Sequence, residues 1–76
     1  MSLFVARTDM NCAREDYAFW RRQIAEANAW INVHKGSPAS RTWEEMRSKA
    51  FGQMNRSRAR LRRAMKEVAD LLYAGN

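Results

Sequence analysis

Apolar residues recur in alternating steps of three and four through Met10, Ala13, Tyr17, Trp20, Ile24, Ala27, Ile31 and His34, a heptad seam more than three repeats long. Nothing else in the chain limits the fold so strongly, because this period is that of one face of a long amphipathic α-helix. Arg14, Arg21, Arg22, Asn28 and Asn32 fall on the opposite face. Thr8, Asp9 and Asn11 are competent N-caps and Gly36 supplies a C-terminal stop, so the pattern predicts a helix over 9–35 after a short extended segment, 1–8. A second pattern, Trp43, Met46, Ala50, Met54, Ser57, Leu61, Ala64, Val68 and Leu71, predicts another helix over 41–74. Its steps contain one doubled four, a stutter that straightens a supercoil without ending the helix, and Phe51, Met65 and Leu72 widen its stripe.

The connection, 36–40, is short enough to make the helices antiparallel neighbours. Within it Ser37-Pro38 reads as an N-cap followed by proline at the first helical position, with Ser40 and the Thr42/Glu45 capping box as later starts. Gly52, Asn55 and Ser57 are the weak point of the second helix, and a break there would give three helices. The fold class is therefore all-α, a single helical domain over 1–76 built as an antiparallel hairpin. With the turn centred near Gly36, Trp30 lies opposite Trp43, Tyr17 opposite Ser57 and Met10 opposite Ala64. Met65 to Leu72 then overhang, to be covered by Leu3-Phe4-Val5 or by a second protomer. Phe19, Trp30 and Val33 add more apolar surface than one facing helix can hide, so a homodimeric four-helix bundle is expected.

At 76 residues the chain has room for one small core, and self-association is a common remedy. The single cysteine, Cys12, excludes an internal disulfide framework and fits a reducing, cytoplasmic setting. The longest apolar run, Leu3 to Ala6, is far too short for a membrane span. No catalytic constellation, cofactor motif, metal site or small-molecule substrate is implied. Cys12 and His34 lie about 33 Å apart along one helix, and the acid pairs Glu15/Asp16 and Glu44/Glu45 suit first turns. Neither a helix-turn-helix nor a ribbon-helix-helix template fits, the latter because the first helix is too long.

Charge is the remaining signal. Residues 1–38 carry five cations against four acids, whereas 39–76 carry nine against four, and 46–66 hold eight cations with no acid. Lys49, Arg56 and Arg63 repeat at seven residues, Arg60 follows Arg56 by four, and Arg62 and Lys66 extend the patch outward. Arginine-rich ladders of this spacing can follow nucleic-acid phosphates. The plainer reading is a solvated face with ion pairs to Asp16 or Glu15. The expectation is a non-enzymatic regulatory or accessory module whose second helix engages nucleic acid or an acidic protein or nucleoprotein surface. The alternative is an inhibitor or adaptor of the viral or mobile-element type, gripping a partner protein with Phe19, Trp30 and Val33.

Overall fold

The computed structural model describes residues 2–74 as two α-helices, α1 (Leu3–Val33) and α2 (Pro38–Ala74), with no strand among them. They form a rod of 59 × 14 × 13 Å between Cα extremes. At the hinge the His34 amide donates to the Trp30 carbonyl (2.9 Å) and the Ser37 amide to that of His34 (2.9 Å). Gly36 sits at φ +84°, a left-handed conformation open to glycine at little cost. The Ser37 hydroxyl then accepts from the Ala39 amide (3.1 Å), so Ser37-Pro38 opens α2 and the later starts at Ser40 and Thr42 are not used.

Two expectations are corrected. The N-terminal segment is not extended: Ser2 caps α1 by accepting from the Val5 amide (3.2 Å), and the helix starts six residues before Asp9. The cap-competent residues that suggested a later start are used otherwise. Thr8 donates its hydroxyl to the Phe4 carbonyl one turn back (3.0 Å), and Asp9 binds Arg60. As a result Leu3 and Ala6 continue the first seam upstream, and α1 covers most of the supposed overhang. The stutter also disappears. Met46 is exposed while Arg47 is half-buried, its guanidinium donating to the Asn28 side-chain carbonyl (2.9 Å). Replacing Met46 by Arg47 restores an unbroken 4,3,4,3 alternation from Trp43 to Leu71. Arginine can lay its aliphatic stem on a seam while its head stays wet, which an apolar count overlooks.

Helix α2 runs unbroken through Gly52 to Ser57, and Ser57 is buried in the seam instead of capping a third helix. Ala50, Ser57 and Ala64 on α2 form a seven-residue row of small buried side chains, and Ala6, Ala13 and Ala27 a matching row on α1 that the half-buried Trp20 interrupts. Small residues let two helices approach closely, and the cost is that no large side chain is fully enclosed. Trp30 and Trp43 stack at 5.4 Å, as the register requires.

Candidate nucleic-acid interface

Once the seam is fixed, helical geometry assigns every other position to a side. Arg60 reaches across to Asp9 (2.6 Å) and Asp16 (3.3 Å), which places their rows on the same long side of the hairpin. On α1 that row is Asp9, Asp16, Gln23 and Trp30; on α2 it is Met46, Gln53, Arg60 and Glu67. We call this the ion-paired side. The opposite side is lined by Met10, Tyr17 and Ile24 on α1 and by Met54, Leu61 and Val68 on α2, and is the apolar side.

Arg60 therefore leaves the expected ladder. It faces the inter-helix groove between two carboxylates. The hydrogen bond to Asp9, then the Asp9 charge, hold its guanidinium above the ordinary arginine range, so it stays cationic but already compensated. Lys49, Arg56 and Arg63 form the next row outward, all exposed and separated by about 10 Å per two turns. Arg62 and Lys66 lie further round the back of α2, also exposed. Among the described residues none of these five is in an ion pair. Gly52 belongs to the same outer surface and nothing lies within 4 Å of where a Cβ would stand. The fold does not require glycine there.

The residues expected to grip a protein fall on the same side. Phe19 and Val33 flank the ion-paired side from α1, 43% and 73% exposed, and the Phe19 ring meets Trp20 edge-on at 5.0 Å. Trp30 is less free. Its ring stacks on Trp43 and on His34 (5.3 Å), so it clamps the hinge and presents only part of its surface. The two candidate sets thus share one side, cations on α2 and apolar groups on α1, which linear spacing could not reveal. The sequence reading missed Arg47 and the Asp9 ion pair, both of which needed the register between helices.

Among the described residues no cluster of three or more His, Cys, Asp or Glu could hold a metal ion, and no helix is long and apolar enough to cross a membrane. Comparison with protein-family models, with curated proteins and with solved structures finds no match to this chain.

Proposed function

We propose that this chain is a small accessory module that binds nucleic acid, or the nucleic acid of a nucleoprotein complex, through the outer flank of α2, and that it acts as a homodimeric four-helix bundle in the reducing interior of the cell. One observation carries the binding reading: Lys49, Arg56 and Arg63 stand in an exposed row that makes no ion pair among the described residues, while the neighbouring Arg60 is taken up by acids of α1. Had the patch served only to hold the hairpin together, its outer row would meet carboxylates too. The row spans about 21 Å, the length of roughly six phosphate steps along one strand. Contacts of this kind fix position without reading bases, so little sequence preference is expected.

The test is the salt dependence of binding to a generic duplex and a generic single strand. Three phosphate contacts give a log–log slope of about −2 to −3, and Arg62 and Lys66 steepen it if they also engage. Arg56→Gln with Arg63→Gln flattens the slope by about 1.5 units and leaves helicity unchanged, glutamine being a good helix former. Absence of binding at physiological salt and tens of micromolar protein overturns the reading. The exposure of Phe19 and Val33 beside the cations favours a second reading, an inhibitor or adaptor that grips a protein, with the arginines steering association. In that case the same double variant slows association with the partner while Phe19→Ala speeds dissociation.

A further inference from the structure

Among the described residues the apolar side of the hairpin is only partly covered, by the packing that buries Ile24 and Val68. Met10, Tyr17, Met54 and Leu61 are half-buried along it, and Phe51 and Met65 stand beside them 43% and 49% exposed. This strip is two helices wide and, from Phe51 to Val68, runs about 25 Å of the 59 Å rod, more than the scattered apolar residues of an ordinary surface. The whole hairpin exposes 5821 Å², about 1,000 Å² more than the ~4,800 Å² of a compact chain of its mass.

We propose that a second copy of this chain covers the apolar side, each α1 lying antiparallel on the partner's α2. The inference rests on the self-association read above and adds the face and the pairing. Width decides the occupant, because a single foreign helix would cover about half of a two-helix strip, whereas a second hairpin matches it in width. Area agrees: two separate hairpins expose about 11,600 Å² against ~8,000 Å² for a compact body of twice the mass, so closure hides about 3,600 Å², within the range of obligate homodimers. Charge decides the pairing. A two-fold axis across the helices would set Arg7, Arg14 and Arg21, one row on α1, against the same row of the partner. An axis along the helices instead sets Arg21 over the partner's Phe51 and Arg7 over the partner's Met65, leaving one kind of like-charge meeting, Arg14 with the partner's Arg58, made twice by the symmetry. Lys49, Arg56 and Arg63 then remain on the outside.

Sedimentation equilibrium at about 10 µM tests self-association itself, and twice the 8.9 kDa chain mass is expected. A monomer overturns both the dimer reading and this inference. The face is tested by matched variants: Phe51→Glu weakens the dimer at least tenfold, whereas Phe19→Glu, equally exposed on the other side, leaves it intact. The reverse result, with a wild-type dimer, overturns the face alone. Because Phe51→Glu can also unfold the chain, cross-linking supplies an independent arm. A short bismaleimide leaves the wild-type dimer unlinked at Cys12, which flanks the ion-paired side, and links Cys12→Ser/Arg21→Cys to Cys12→Ser/Phe51→Cys when the two are mixed. Efficient Cys12 linkage overturns the face, and self-linking of Cys12→Ser/Arg14→Cys overturns the pairing.

Discussion

The two long sides of the hairpin are written by adjacent residues. In Asp9-Met10, Asp16-Tyr17, Gln23-Ile24, Gln53-Met54, Arg60-Leu61 and Glu67-Val68 the first member faces the ion-paired side and the second the apolar side. Both members lie beside the row of small residues between the helices, Ile24 and Val68 are buried against it and Arg60 bridges it, while the polarity of the dipeptides decides which side meets water. At the hinge the rule breaks down: Trp30 and Met46 put apolar residues on the polar side, and Arg47, although not Ile31, puts a charge on the other. There the Trp30–Trp43 stack and the Arg47–Asn28 hydrogen bond close the end of the rod. The comparison teaches that a 3,4 period specifies only that two helices meet, while the polarity on either side of the period specifies what is left to be covered.

The largest expected effect sharpens this contrast at a single dipeptide. Ile24→Ala removes a buried side chain and costs about 2–4 kcal/mol, enough to unfold a domain this small, whereas Gln23→Ala, next to it on the polar side, changes stability by less than about 0.5 kcal/mol. Urea unfolding at one fixed protein concentration measures both, and equal losses would erase the distinction between the sides. Next comes the seam that both sides share. Ala64→Leu inserts three carbons where helix approach is closest and costs about 1–3 kcal/mol through forced separation, although leucine and alanine are both good helix formers. Thermal melting read by circular dichroism checks it, and an unchanged midpoint would mean that the helices are not in close packing at Ala64.

These effects also mark what could be read from the linear chain. Both helices, the hinge at Gly36, the Trp30–Trp43 register and most of each seam were legible, because a heptad pattern sustained over eight or nine positions is a redundant signal. The start of α1 was not, since Thr8 and Asp9 look the same whether they cap a helix or serve within one, and only the position of α2 shows that Asp9 has another partner. The stutter was misread for a related reason: hydropathy scores Arg47 by its head, and packing uses its stem. Of the candidate binding residues, the outer cations were legible as a row, but the loss of Arg60 to Asp9 and Asp16 required the inter-helix register.

A smaller effect bears on the outer flank of α2. Gly52→Ala stabilises the protein by about 1 kcal/mol, because glycine is a poor helix former, its φ is not positive and open space awaits the new Cβ. The measurement is again urea unfolding, paired with the nucleic-acid titration. A stabilised variant with unchanged binding shows glycine to be incidental to the interface, and one that binds more weakly shows that a ligand approaches the backbone there.

The smallest expected effect is the most discriminating between the two arginine environments on α2. Arg56 and Arg60 are one turn apart, and by sequence they belong to the same ladder. If nucleic acid follows the exposed row, Arg56→Gln flattens the log–log salt slope by about 0.7–0.9 and weakens binding to all sequences alike. Arg60→Gln changes the slope far less, since a guanidinium already held by two carboxylates releases no counterion when a phosphate arrives. The affinity itself still falls slightly, because Asp9 and Asp16 are left uncompensated beside the basic row and repel the phosphates. Exposed pairs of this kind add little to stability, so Arg60→Gln also leaves the melting curve nearly in place. Fluorescence anisotropy at four or five salt concentrations separates the two variants. Equal flattening by both would mean that the ion pairs open on binding and that Arg60 joins Lys49, Arg56 and Arg63 on the phosphates.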